Sequence, residues 1–213
     1  MTIALLAICV HHVTADPEVE CVVSVERMRG FTFCNFGGVV ATGKDLSNVG
    51  AVHSQFQGQV TKNEQISRIS FLGSDFPHIP NAIFTTFGDI IEVKMGSENI
   101  MRNIRKVDFE GASELKKFNA PDSSIPSIPE EAFTNAPKLE EIILNNNSIT
   151  TVAHNAFAGL NHLKSIDLSN NQIKNLDKKF FANLPSSVLV LKLAGNSLDK
   201  STEELYEKFS RAH

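Results

Sequence analysis

Between Leu139 and Leu184 the apolar positions fall in one order twice. Leu139, Ile142, Leu144, Asn147, Ile149, Val152, Phe157 and Leu160 return 24 positions later as Leu163, Ile166, Leu168, Asn171, Ile173, Leu176, Phe181 and Leu184. A fixed period of roughly 20 to 50 residues marks stacked repeats, each too small to bury its own apolar face. The frame continues upstream. Ile66, Ile69, Phe71, Ser74, Phe76, Ile79, Phe84 and Phe87 make a first copy, and Leu115, Phe118, Ala120, Ser123, Ile125, Ile128, Phe133 and Ala136 a third. Between them run Ile90, Val93, Met95, Glu98, Ile100, Ile104, Phe109 and Ala112, with one extra residue in the loop. Downstream, Val188, Leu191, Leu193, Asn196 and Leu198 begin a sixth copy after one extra residue near Pro185.

Within each copy the alternating apolar residues predict a short strand with one face inward. The Asn that follows is expected to close the turn out of the strand, as a buried amide bonded to loop backbone. Leaving such a group unpaired costs roughly 1–3 kcal/mol. Asn147, Asn171 and Asn196 fill this slot, and Ser74 and Ser123 do part of the work with a hydroxyl. Glu98 fits it poorly, but the shifted frame that installs Asn99 drives Lys94 and Gly96 into the core. Phe84, Phe109, Phe133, Phe157 and Phe181 predict a stacked aromatic spine on the far side; an exposed aromatic binding stripe is the rival, disfavoured because the rings occupy apolar slots.

The clearest copies read L-E-E-I-I-L-N-N-N-S-I and L-K-S-I-D-L-S-N-N-Q-I, a form of L-x-x-L-x-L-x-x-N-x-L. They resemble the extracellular leucine-rich-repeat family in its 24-residue class, and the compact six-repeat layout is similar to small secreted insect proteins of that family. The resemblance implies an α/β-type repeat solenoid: an arc with short parallel strands on the concave face, a disulfide-bonded N-terminal hairpin cap and a short C-terminal capping helix. It also implies secretion and, for some of that group, extracellular innate immunity.

The chain divides accordingly. Residues 1–15 hold a short apolar run with small residues before Asp16, which predicts a secretory signal peptide, although no Lys or Arg precedes the run; a buried element of a cytosolic chain is the alternative. Residues 16–65 are an N-terminal cap. There Phe31–Phe36 alternates, Gly37-Gly38 interrupts and Val39-Val40 resumes, the pattern of a β-hairpin. Six repeats over 66–198 start near 66, 90, 115, 139, 163 and 188, and 199–213 form the C-terminal cap. Ser201-Thr202-Glu203-Glu204 reads as the capping box of its helix, with Leu205 and Phe209 on one face. If the leader is removed Cys9 goes with it, and Cys21 and Cys34 remain, read as one disulfide or as two buried thiols.

Chemistry enters this picture mostly by exclusion. Gly38–Asp45 spells G-x-x-x-x-G-K, yet Asp45 stands where a phosphate loop needs Ser or Thr, and Leu46–Gly50 looks like loop rather than helix. His53, His78, His154, His162 and His213 fall in no zinc spacing, and no nucleophile elbow appears. The expectation is therefore no enzyme, no cofactor and no metal. With 20 Lys+Arg against 24 Asp+Glu the net charge of −4 argues against nucleic acid, and no apolar run is long enough for membrane insertion.

What remains is the concave sheet, roughly 25–30 Å long for strands about 4.8 Å apart, near the size of a standard protein footprint. Its outward positions include Arg68, Ser70, Glu92, Lys94, Lys117, Asn119, Glu141, Ile143, Asp167 and Lys192, with Leu72, Asn145, Ser165, Ser169 and Val190 beside them. Charges alternate in sign there, which suits a protein or peptide ligand; a merely solvated sheet face is the plainer reading of any one residue. Asn146-Asn147-Ser148 is an N-glycosylation sequon, with Asn146 expected at the edge of the concave side. The resulting reading is a secreted recognition module, monomeric or weakly associating. A matrix, adhesion or receptor-ectodomain-like protein and an enzyme inhibitor of the same architecture are the alternatives.

Overall fold

Alternate apolar residues over three to seven positions support one short strand per repeat, and such a strand is stable only beside another. The computed structural model describes residues 19–24, 32–36, 39–43, 66–72, 78–79, 81–95 and 101–212. In chain order the elements are β1 (Val19–Ser24), β2 (Thr32–Phe36), β3 (Val39–Gly43), β4 (Ile66–Leu72), helix α1 (Ala82–Phe87), β5 (Glu92–Met95) and a 3-10 helix (Lys106–Phe109). They continue with β6 (Lys117–Asn119), β7 (Ser127–Ile128), β8 (Glu141–Ile143), β9 (Thr151–Val152), β10 (Ser165–Asp167), helix α2 (Lys178–Asn183), β11 (Val190–Lys192) and helix α3 (Lys200–Ala212). The expected leader and the Glu98 slot lie outside the described residues.

One sheet carries the strands in the order β11-β10-β8-β6-β5-β4-β1-β2-β3. From β11 to β1 every pairing is parallel; β2 and β3 return antiparallel. Ile69, Val93, Phe118, Ile142, Ile166 and Leu191 stand in register across six adjacent strands, all buried. Leu144 and Leu168 extend the line, their N–H groups donating to the carbonyls of Asp167 at 2.8 Å and Lys192 at 2.9 Å, and Leu193 is buried alongside them. A two-stranded parallel pair, β7 with β9, lies apart from this sheet.

The N-terminal strands contain a finding that the repeat pattern does not reveal. β1 pairs in parallel with β4 and so extends the repeat sheet by one strand before the hairpin begins. In the hairpin Phe36 pairs with Val39, leaving two residues between the strands. Within the G-x-x-x-x-G-K run, Val39–Gly43 is strand β3, and the residues after it lie outside the described residues.

The buried asparagines join the repeats. Asn147 Oδ1 accepts from the Ile125 amide of the preceding repeat at 3.1 Å, while its Nδ2 donates to the carbonyls of Ala120 and Leu144 at 2.9 and 3.0 Å. Asn171 repeats this with Ile149, Leu144 and Leu168, and Asn196 with Ile173, Leu168 and Leu193. Each amide therefore satisfies backbone in two coils at once. Ser123 bonds only Pro121, within its own coil. A second ladder runs along the surface: Asn146 Nδ2 donates to Asp122 at 2.9 Å, and Asn170 Nδ2 to Asn146 Oδ1 at 2.8 Å. Asp122, Asn146 and Asn170 hold left-handed φ of 51°, 56° and 54°, which short polar side chains tolerate. Gly195, at φ 75°, ends the series, since a Cβ there would lie 2.1 Å from Asn170 Oδ1.

On the far side, Phe109, Phe133 and Phe157 stack in sequence, with ring centroids 5.1 and 5.7 Å apart. The spine then departs from the sequence expectation. Phe180, not Phe181, takes the next buried slot, 6.3 Å from Phe157. The position before the spine residue is Ala132 and Ala156 in the two preceding repeats, small enough to share the space. Phe180 is too large to share, and it excludes Phe181, which turns towards Phe209 of α3 at 6.3 Å.

The start of α3 is a second correction. Asp199, rather than Ser201, caps it: its Oδ1 accepts from the Thr202 amide at 2.8 Å and its Oδ2 from Asn175 Nδ2 at 2.8 Å. Thr202 is buried, and its hydroxyl oxygen accepts from the Leu176 amide at 3.0 Å. Farther along, the Tyr206 hydroxyl donates to the carbonyl of Leu191 at 2.8 Å.

These contacts set two outcomes. Phe180→Ala is expected to cost about 3–5 kcal/mol in urea unfolding, and Phe181→Ala clearly less, because only the first empties a buried slot. Asn171→Ala leaves the Ile149 amide without a partner and takes one of two donors from each of the Leu144 and Leu168 carbonyls, and is expected to cost roughly 1–3 kcal/mol; Asn161→Ala, on an exposed residue, is the control in the same titration.

Candidate functional site

The outward residues of the strands form two lanes across the sheet. Strand register fixes the first as Arg68, Glu92, Lys117, Glu141, Ser165 and Val190, with Glu20 of β1 opposite Arg68. The second is Ser70, Lys94, Asn119, Ile143, Asp167 and Lys192. All ten residues singled out in the sequence thus fall on these lanes, and the side chain of Ser70 lies outside the described residues.

Opposite charges on adjacent strands meet. Arg68 Nε lies 3.2 Å from Glu92, Lys117 Nζ 2.7 Å from Glu141, and Lys192 Nζ 3.1 Å from Asp167. For the first two, with both partners partly solvated, each pair is worth under about 1 kcal/mol, so these bonds hold side chains in place more than they stabilise the fold. Asp167 is more enclosed. Burial raises its carboxyl, but hydrogen bonds from the Ser169 hydroxyl and amide and from Lys192 outweigh this and hold it below the usual carboxylate range.

Beside the lanes runs a line of contacts that the sequence reading overlooked. Glu114 meets Lys138 at 2.6 Å and Glu140 meets Lys164 at 2.6 Å; the hydrogen bond from Lys164 lowers Glu140. The signal was present, since partners in both pairs stand one repeat apart with opposite charge. Leu189 and Val190 break the pattern, with 60% and 43% of their surface exposed where the three preceding repeats carry charge or Ser.

The remaining candidates are placed as follows. Asn146 is exposed, at the surface ladder already described. Cys21 and Cys34 lie on the paired strands β1 and β2, and their side chains are outside the described residues. His154 and His162 are exposed. Among the described residues no three His, Cys, Asp or Glu side chains gather into a metal site, and no helix is long and apolar enough to cross a membrane.

Comparison with known proteins agrees with this geometry. Residues 113–173 match the leucine rich repeat family profile. The matched residues carry a leucine rich repeat, and the parallel strands on one sheet fit an α/β repeat solenoid. Among solved structures, the chain is similar to that of a TLR13–ssRNA13 complex, with 21% identity and a TM-score of 0.59 over 70% of this chain. It is also similar to the Toll–Spätzle complex of Drosophila, with 17% identity and a TM-score of 0.53 over 63%. In both cases the chain spans 20% of the neighbour's length, and the likeness is one of fold. No curated protein matches by sequence.

The Asp167 cluster makes a direct test. Because its carboxyl is held low, its contacts stabilise the fold above the ordinary carboxylate range, and that contribution fades as pH falls through the lowered value. Lys192→Met and Ser169→Ala are each expected to move the Asp167 carboxyl titration upward, read by carbon NMR.

Proposed function

We propose that this protein is a recognition module without catalytic activity, and that it binds a protein or peptide through the concave face. The observation that carries the reading is the two outward lanes. They form a continuous surface across six strands, with side chains fixed by cross-strand pairs, and a fixed surface loses less entropy on binding. Both structural neighbours are drawn from assemblies with a ligand, one a protein and one an RNA. Toll–Spätzle is described as a hub in development and innate immunity, which supports an extracellular, immune setting for this chain.

The finer parts of the proposal follow from that setting. Residues 1–15 act as a signal peptide, Cys21 and Cys34 form a disulfide within the N-terminal cap, and α3 closes the C-terminal end. The Tyr206 bond to the edge strand supports the last of these, as it occupies a carbonyl otherwise open to another chain. Asn146 carries a glycan: its amide has two hydrogens and the ladder uses one. A receptor-ectodomain-like role is the second reading, favoured by the fact that a Toll assembly is among the neighbours.

The test is capture from native extracellular fluid by the immobilised chain, with two variants. Ser165→Arg places a long cation in the middle of the first lane and is expected to reduce capture of the specific partner at least tenfold. Glu130→Arg, off the lanes, should leave it unchanged. Equal capture by both variants would remove the concave face from the reading.

A further inference from the structure

Among the described residues, the charged side chains of the two lanes are paired with one exception. In the two lanes Arg68 pairs with Glu92, Lys117 with Glu141 and Lys192 with Asp167. Lys94 is exposed and has no partner among the described residues. Its neighbour in the lane, Asn119, is half-buried, and its Oδ1 is shielded from solvent without a hydrogen bond. The next residue, Ile143, presents the apolar side chain of the lane, half-exposed. A free cation, an unsatisfied amide and an aliphatic side chain thus stand on three consecutive strands.

We infer that Lys94, Asn119 and Ile143 form a docking strip for an extended peptide segment that carries an acidic residue and, three residues later, an apolar one. The inference rests on the recognition reading above and names the chemistry of its partner. Two strand steps separate Lys94 from Ile143, about 10 Å at 4.8 Å each, and an extended chain in the polyproline II conformation covers that in three residues at about 3.1 Å apiece, with residues three apart on one face. The carboxylate pairs with Lys94 and the apolar side chain covers Ile143. Between them a peptide N–H faces Asn119, whose oxygen is unpaired in the free chain. Turning it outward onto that donor makes a bond without breaking another. Polarity is fixed as well: beyond Ile143 the lane continues with the Asp167 carboxylate, which repels an acid, so the acidic residue belongs at the β5 end. A nucleic acid fits less well, since successive phosphates would also lie over Glu92, Glu141 and Asp167.

The test is a titration of the isotope-labelled full chain with a synthetic capped octapeptide, Gly-Ser-Asp-Ser-Ser-Leu-Ser-Gly, followed by amide NMR. Shifts centred on the amides of Lys94, Asn119 and Ile143 are expected. Lys94→Glu should weaken binding about tenfold and Lys94→Met somewhat less. Lys164→Glu, on a cation outside the strip, should have no effect. Asn119→Ala should weaken binding about threefold while raising the melting temperature, since it removes an unpaired buried oxygen. A peptide with Leu moved next to Asp should bind more weakly. Shifts elsewhere on the sheet, indifference to Lys94→Glu, or tighter binding of a uridine octanucleotide at the same amides would each overturn the strip. If no peptide binds there while Ser165→Arg still abolishes partner capture, the strip falls and the recognition reading stands. If neither experiment responds to the concave face, both fall.

Discussion

The fold depends on a hydrogen bond that no single repeat can complete. A coil of 24 residues has too little volume to bury its turn backbone and satisfy it locally. Asn147, Asn171 and Asn196 solve this by reaching into the preceding coil, where the oxygen accepts from one amide while the nitrogen donates to carbonyls of both coils. An amide suits this because it is donor and acceptor at once and carries no charge to desolvate. The Leu and Ile rows supply most of the apolar burial, but they tolerate small slips. The amide does not, so in the coils of Asn147, Asn171 and Asn196 it pins the register with which one coil meets the next.

That register is what turns sequence into surface. Once Ile142 is fixed beside Ile166, Glu141 and Ile143 must face outward beside Ser165 and Asp167. The charge pairs across the lanes are consequences of this placement and weak as stabilising terms. Their effect is local: they hold long side chains that would otherwise sample many rotamers. They also cancel one another, so the face exerts little long-range field.

The repeats were legible because their signal is periodic and redundant; Leu139, Ile142 and Leu144 return at 24 with the same chemistry. Their outward partners were legible for the same reason. What failed was local competition. Phe180 and Phe181 are equally apolar on paper, and only the volume left by Ala132 and Ala156 in the preceding coils shows which one enters the core. Ser201 and Asp199 are both good caps, and the choice was made by Asn175, a neighbour 24 residues away that no helix-start rule consults. Strand β1 was hidden because V-E-C-V-V-S lacks the repeat's Asn and falls outside its period. The unpaired state of Lys94 was not readable either, since pairing depends on what register brings opposite it.

Repeat proteins separate stability from recognition more cleanly than compact domains do. Inward positions here are nearly uniform, while outward positions differ from strand to strand and are constrained only by their lane neighbours. Changing an outward residue therefore alters the surface at a known place and leaves the buried ladder intact. Asn119 departs from that separation, because its oxygen is enclosed and unpaired on a face that otherwise satisfies itself. An uncompensated polar atom lowers stability, and a chain free to vary outward residues has simple ways to remove it. It stands between Lys94, unpaired among the described residues of the two lanes, and Ile143, the apolar member of its lane, so the unsatisfied atom, the cation and the aliphatic side chain fall together on three neighbouring strands.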